Sequence, residues 1–332
     1  MILNKIKIGV LIGGPSSEYD VSLMTGIKII NNLNKEKYEV LPIKISKKGD
    51  WYFNDIKIGI KEILGKINFA FIAMHGEYGE DGQIQAILEQ YDVPYNGSGK
   101  FASQIAIDKS QSKKIFLNNG LITPKSVVIK YGEIEFLKKI ESVLKNSPWV
   151  VKPLSKGSSV GTSIVRDRSS IFDAVHKAFT YDNYILIEEF IKGREFTCGV
   201  LENYPLNSNR KYFALPVTEI IPNEKYDFFN YNAKYEVGAS KEITPAEISA
   251  DLMKLIQDIA IIAHTILGCN GYSRSDFIIT PKNEINILEL NTLPGMTETS
   301  LLPQATYAAG IKFSELLDII IQNGFDKYYN SI

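Results

Sequence analysis

Residues 273–291 read SRSDFII (273–279), TPKN (280–283) and EINILELN (284–291). The outer runs are apolar and β-prone, and the Thr280-Pro281-Lys282-Asn283 link has turn chemistry, so the stretch predicts a β-hairpin. Side chains alternate faces along a strand, which places Arg274 with Asp276 on one face and Glu289 with Asn291 on one face. If Ile279 pairs with Glu284, Arg274 lies opposite Glu289 and Asp276 opposite Ile287. Cross-strand neighbours on one face are ~5 Å apart. Asp276, Glu289 and Asn291 then form a cluster of hard oxygen ligands beside an arginine. Magnesium accepts a few such oxygens and completes its shell with water and phosphate. The hairpin alone fits equally an Arg–Glu salt bridge on a solvated face. The next turn, Thr292-Leu293-Pro294-Gly295-Met296-Thr297, followed by Ser300, offers backbone amides to a reactive centre and favours the metal reading.

A second loop has the composition of a phosphate cradle. Val150-Val151-Lys152-Pro153 ends a strand, and Gly157-Ser158-Ser159-Val160-Gly161 precedes another strand-like run at 162–165. Glycine amides and serine hydroxyls can close over phosphate while Lys152 supplies fixed charge. The loop is not GxxxxGK[ST], and Gly13-Gly14-Pro15-Ser16 is not GxGxxG, which weakens a dinucleotide reading. Taken singly, such a Gly/Ser turn is also compatible with an ordinary hairpin.

Around these loops the pattern is α/β. Apolar runs at 6–12, 39–45 and 68–74, separated by a helical stretch at 21–34, predict a βαβ unit with a parallel sheet. The turn Pro94-Asn96-Gly97-Ser98-Gly99 marks a boundary. Beyond it we expect a helix over Phe101–Asn118, strands near 126–130 and 149–153, and a helix near 133–145. A third region begins near Glu188. It includes a polar loop at 223–241 and a helix over Asp251–Leu267 whose Leu252, Leu255, Ile256, Ile259, Ala263 and Ile266 face the core. His264 lies off that stripe and is expected to be partly exposed rather than a metal ligand.

Bulk composition narrows the function classes. The 332 residues contain 45% apolar and 23% charged residues, an ordinary globular balance, and the length exceeds what one core usually supports. Lys+Arg 37 against Asp+Glu 38 gives net charge −1, so no global field favours nucleic acid or an anionic membrane. No apolar run approaches the ~20 residues of a membrane span. Cys198 and Cys269, the two cysteines, sit in apolar stretches outside any CxxC cluster and read as buried free thiols of a reducing compartment.

In order, IGGPSSEYDVS (12–22), MHGEYGEDG (74–82), SQIAIDKS (103–110), VVKPLSKGSSVG (150–161), ILIEEFIKGREFT (185–197), YNAKY (231–235), SRSDF (273–277) and LELNTLPGMTETSL (288–301) resemble the D-alanine:D-alanine ligases of the ATP-grasp superfamily. The resemblance runs from about residue 6 to 315. It implies a three-domain ATP-grasp architecture, α+β in the ATP-grasp part: 1–97 an N-terminal substrate-binding α/β domain, 98–187 a central domain, and 188–332 a catalytic domain with a lid at 223–241. It implies ATP-dependent joining of two D-alanines through a D-alanyl phosphate, for peptidoglycan precursors, in a cytoplasmic homodimer. Two magnesium ions, replaceable by manganese, would be held by Asp276, Glu289 and Asn291.

The roles fall residue by residue. Lys109 and Lys152 match lysines on the ATP phosphates, with Ser159 in the phosphate loop, and Glu188, Phe190, Ile191 and Glu195 match the adenine and ribose strip. Glu18 matches the carboxylate that orients the first substrate's ammonium, and His75 the group near its carboxylate. Ser158 and Tyr235 match the partners of Glu18 in a loop-closing triad. Arg274 and the Gly295 amide match the oxyanion-stabilising pair. Lys234, which also belongs with the nucleotide residues, lines the second amino-acid site with Ser300 and Leu301. Related ligases that accept D-lactate or D-serine, and other ATP-grasp carboxylate–amine ligases, share much of this set.

Overall fold

The computed structural model describes residues 5–205, 211–223 and 240–330. Lys234, Tyr235 and the 223–241 segment apart from its ends lie outside the described residues.

The strand Ile6–Gly13, with Ile8, Val10 and Leu11 fully buried, runs parallel to both its neighbours, Tyr38–Ile45 and Phe69–Ile72. Parallel neighbours require a crossover, and the helix Tyr19–Asn32 supplies the first. The short strands Trp51–Phe53 and Ile56–Lys57 add antiparallel pairs at one edge. The predicted βαβ unit is thus present.

A second sheet is antiparallel, in the order Ser126–Lys130, Tyr184–Glu189, Trp149–Pro153, Ser163–Val165. The helix Phe136–Leu144 covers it, burying Ile140 and Leu144. The expected single helix over 101–118 is in fact two, Lys100–Ile107 and Lys109–Asn118. Asp108 breaks it: its backbone is extended and its carboxylate caps the second helix by accepting from the amides of Ser110 and Gln111. The break places Lys109 at the first turn of the second helix, where it is buried.

The third sheet is also antiparallel and runs Ser240–Ile243, Thr218–Pro222, Arg194–Glu202, Tyr272–Ile279, Ile285–Asn291, with Tyr212–Ala214 on the far part of Arg194–Glu202. The helix Ala250–Ile266 packs beneath it. Its buried stripe is Ile256, Ala260, Ala263 and His264, whereas Leu255 is 49% exposed. Ile256 and Ala263 are buried and Leu252, Ile259 and Ile266 pack against the core as expected; Leu255 departs from the reading, and His264 is fully buried rather than partly exposed. Polar partners accompany its burial: His264 Nδ1 lies 2.7 Å from the buried Ser273 Oγ, and its Nε2 faces Glu202 at 3.5 Å. Cys198 and Cys269 are buried free thiols, as expected, and burial pushes each up to about 12. Among the described residues no helix is long and apolar enough to cross a membrane.

The last helix, Phe313–Tyr329, does not join the third sheet's core. Leu316, Leu317, Ile319, Ile320 and Ile321 pack with Ile8, Phe69 and Phe71 of the N-terminal sheet. Gly324 permits the approach, since a Cβ there would stand 2.5 Å from Phe69 Cε2 and 2.6 Å from the Tyr95 carbonyl oxygen. Gly324→Ala therefore tests the packing. Alanine favours a helix over glycine by about 1 kcal/mol. Contact with a backbone oxygen outweighs that gain, so a net loss of about 1–3 kcal/mol is expected, read from the urea midpoint at unchanged m-value. A midpoint that rises would show that the helix stands off the sheet.

Candidate active site

The acidic hairpin forms with a register that differs from the expected one. Ile279 pairs with Ile285, not Glu284, because Thr280 N donates to Glu284 O and keeps Glu284 within the turn. Phe277 then pairs with Ile287, the register shifts, and Asp276 pairs with Glu289 and Arg274 with Asn291. Leu288 is the extra residue of a β-bulge. Without it, Ile285, Ile287, Glu289 and Asn291 would all share the core-facing side of their strand. One added residue exchanges the faces, so the isoleucines stay in the core while Glu289 and Asn291 turn to the side of Asp276 and Arg274.

Asp276 is tightly held there. Arg274 donates to both carboxylate oxygens at 2.8 Å, Thr197 Oγ1 donates at 2.7 Å, and Asn291 Nδ2 donates at 3.2 Å. The ion pair runs along one strand, not across to Glu289. Burial opposes the Arg274 charge, but Asp276 and Glu289 more than offset it, so the guanidinium stays protonated. Glu289 Oε2 is 3.5 Å from Lys109 Nζ, which also donates to the Lys156 carbonyl at 2.7 Å.

A cleft of ≈ 880 Å³ opens between the second and third sheets. Its lining includes every described residue assigned to the nucleotide, Lys109, Lys152, Ser159, Glu188, Phe190, Ile191 and Glu195, together with Asp276 and Glu289. Lys152 and Glu188 sit on adjacent paired strands, and Lys152 Nζ donates to Glu188 Oε1 at 2.5 Å. Sequence reasoning missed Lys113, whose Nζ lies 3.0 Å from the other Glu188 oxygen while donating to Thr123 Oγ1 and the Pro124 carbonyl. Its signal was position: four residues after Lys109, it shares that helix face. Burial alone would raise the Glu188 pKa, but Lys113 and Lys152 hold the carboxyl below its usual range. Glu189 also lines the cleft and accepts from the Lys125 amide at 2.8 Å.

A second cleft of ≈ 650 Å³ lies between the N-terminal sheet and the hairpin. Glu18, His75, Ser158, Arg274, Asn291, Gly295, Ser300 and Leu301 line it, so the remaining described candidates also converge. Glu18 is the N-cap residue of its helix but its side chain does not cap it; the carboxylate accepts from Ser158 Oγ at 2.6 Å, across 140 residues of chain. His75 is buried, with Nε2 2.8 Å from Thr25 Oγ1 and Nδ1 3.5 Å from Glu80. Burial lowers its pKa, but Glu80 and then Glu18 reverse the sign, and the net shift is upward. Glu80 was not singled out from the sequence, although it stands five residues after His75 in the same motif. Ser300 Oγ accepts from the Thr297 amide at 2.9 Å and so shapes the Gly295 turn.

The two clefts meet at one face of the hairpin. Asp276 and Glu289 line the first, and Arg274 and Asn291 line the second. Their donor set, two carboxylates and an amide beside charged phosphate-sized space, fits a hard divalent cation. The Asn291 amide, turned about, would offer oxygen where it now donates to Asp276.

Comparison with known proteins follows the same lines. The family model described as D-ala D-ala ligase C-terminus matches residues 120–322, and that described as D-ala D-ala ligase N-terminus matches 7–63 and 55–98. The chain is 42% identical over 321 residues to the D-alanine–D-alanine ligase of Clostridium beijerinckii, covering 96% of this chain and 98% of that one. It is 43% identical over 322 residues to that of Syntrophobacter fumaroxidans, covering 97% and 98%. Among solved structures, the VanG D-Ala:D-Ser ligase from Enterococcus faecalis superposes with a TM-score of 0.85 at 32% identity over 97% of this chain and 100% of that one. The D-alanine–D-alanine ligase from Bacillus anthracis complexed with ATP gives 0.81 at 34% identity, over 98% and 100%. The fold is that of the ATP-grasp ligases. With both halves matched and near-complete coverage of its relatives, the chain belongs to the D-ala D-ala ligase family.

Proposed function

We propose that this chain joins two D-alanines, converting ATP to ADP and phosphate, through a D-alanyl phosphate. The observation that carries the reading is the junction of the nucleotide-sized cleft with the amino-acid-sized cleft at the Arg274, Asp276, Glu289, Asn291 face. A carboxylate seated in the second cleft then lies beside the phosphate end of the first, which orients the reactants.

In this reading Glu18 binds the ammonium of the first D-alanine and His75, held more cationic by Glu80, faces its carboxylate. Lys109 and Lys152 hold phosphate oxygens, and the adenine and ribose lie along Glu188, Phe190, Ile191 and Glu195. Asp276, Glu289 and Asn291 would hold magnesium, which when bound neutralises charge on the phosphoryl group in transfer. The first carboxylate attacks the γ-phosphorus and ADP leaves, giving the acyl phosphate. The neutral amine of the second D-alanine, lined by Ser300 and Leu301, attacks the acyl carbon; Arg274 and the Gly295 amide receive the oxyanion, and phosphate departs. Three structural units, a homodimer and a cytoplasmic location with small-molecule substrates only complete the reading. The division at 97/98 falls in the turn that precedes the helix Lys100–Ile107, and that at 187/188 falls within the strand Tyr184–Glu189.

Phosphate release measured with and without D-alanine tests the activity; no stimulation by D-alanine would end this reading. Choice of second substrate is a further test. Leu301 is buried and apolar at the cleft, suiting a methyl and offering nothing to a D-serine hydroxyl. An amine becomes nucleophilic as pH rises, whereas the D-lactate hydroxyl does not titrate in this range. With labelled D-alanine first and equal D-alanine, D-lactate and D-serine second, D-alanyl-D-alanine should dominate from about pH 7 to 9. Depsipeptide or D-alanyl-D-serine as the major product would move the chain to another branch.

A further inference from the structure

The phosphate loop is fastened to the N-terminal domain at a second point besides Glu18–Ser158. Lys156 Nζ donates to Glu77 Oε1 at 2.5 Å, across 79 residues. The other Glu77 oxygen accepts from Ser16 Oγ at 3.0 Å and from the Ser17 amide at 3.4 Å. Glu77 thus joins the turn that precedes Glu18 to the loop that carries Ser158. Burial works against its charge, but Lys156 and its other donors keep the carboxyl below the usual range. The packing between the anchors is close: a Cβ on Gly157 would stand 2.8 Å from Glu18 Oε1.

The loop between the anchors carries two turn hydrogen bonds of its own, Val160 N to the Gly157 carbonyl at 3.1 Å and Thr162 N to the Ser159 carbonyl at 3.2 Å, but its turn is a strained one. Ser158 and Ser159 have φ of 48° and 56°, consecutive left-handed positions without glycine. Such conformations persist only where the surroundings fix them. A hydroxyl–carboxylate bond at Ser158 and an ion pair at Lys156 reach across from this loop to the N-terminal turns. Lys156 also lines the nucleotide cleft, and its carbonyl accepts from Lys109 Nζ. Displacing Lys156 therefore disturbs both the phosphate lysine and the wall that separates the reaction from water.

We propose that Glu77 and Lys156 are a positioning pair, a charge latch that docks the phosphate loop on the N-terminal domain and shields the acyl phosphate from water. The catalytic part of this rests on the ligase reading above; the docking does not. On that reading neither residue is one of the reacting groups, and the pair acts through Ser158, Gly157 and Lys109.

Charge exchange tests it: Glu77→Lys, Lys156→Glu and the double exchange, each in the full chain. Without any ligand, amide hydrogen exchange over residues 155–161 should speed up roughly two- to fivefold in each single variant and return near the parental rate in the double, as a partly exposed ion pair predicts. With ATP, magnesium and D-alanine, the singles should raise phosphate released per dipeptide formed and the KM for ATP, again with recovery in the double. Added salt should loosen the parental loop in the same direction, because both side chains are about a quarter exposed. Parental exchange rates in both single variants would overturn the latch. So would loss in Lys156→Glu that the double exchange fails to restore while Glu77→Lys behaves as the parent, the pattern of a plain phosphate ligand. If the parent shows no D-alanine-dependent phosphate release, the ligase reading fails while the exchange rates still decide the docking.

Discussion

Glu289→Gln should leave the protein folded and reduce kcat at least about a hundredfold, because a metal-held phosphoryl transfer draws several kcal/mol from its cation and each 1.36 kcal/mol is a factor of ten. The substitution preserves volume and removes one charge from the Asp276, Glu289, Asn291 face. Lys109 then loses its 3.5 Å carboxylate neighbour but keeps its bond to the Lys156 carbonyl, so it is not left without an acceptor. Melting should therefore be close to parental. Activity is measured at saturating magnesium so that a weakened site is filled. A variant that melts like the parent and keeps more than roughly a tenth of its kcat would show that Glu289 is not a metal ligand.

Glu188→Gln should act on stability as well as on the nucleotide. Glu188 is almost wholly buried between Lys113 and Lys152, at 3.0 and 2.5 Å. Breaking a buried charge network by removing one sign costs about 3–5 kcal/mol, which here corresponds to a fall of roughly 10 °C in Tm. The pH dependence carries its own sign. The folded-state pKa of Glu188 lies below the unfolded value, so its contribution is present above an unfolded pKa of ~4.3 and is lost as pH falls through the folded value. The stability gap between parent and variant should be widest near neutrality and narrow on acidification. Calorimetry at several pH values reads it. A gap that stays constant or widens with acid would mean that Glu188 is not ionised in the folded chain.

The same buried network shows where local reading stops. The quoted motifs supplied Lys152, Glu188 and Lys109, because fixed residues around a strand end or a helix cap carry recognisable chemistry. Lys113 carries only its spacing from Lys109: it is one of three lysines on that helix, and the packing of Lys109–Asn118 against the cleft makes its ammonium a structural partner of Glu188. Glu77 and Lys156 are similar, ordinary surface-type residues until two loops 79 residues apart are brought together.

The hairpin divides the question most clearly. Alternation and turn residues in 273–291 determined by themselves that there is a hairpin, with Arg274 and Asp276 on a common face and Glu289 and Asn291 on a common face. The register was decided by tertiary structure. Ile285 and Ile287 are drawn into the core beneath the sheet with Phe277 and Ile279, which forces the extra residue at Leu288 before Glu289 and Asn291 can face the cleft. The final helix follows the same logic. Apolar spacing names no partner, and it was the space over Phe69 and Tyr95, open only to Gly324, that set its apolar side against the first sheet. Spacing along a chain fixes which side chains share a face; which face is covered, and by what, depends on burial summed over segments hundreds of residues apart.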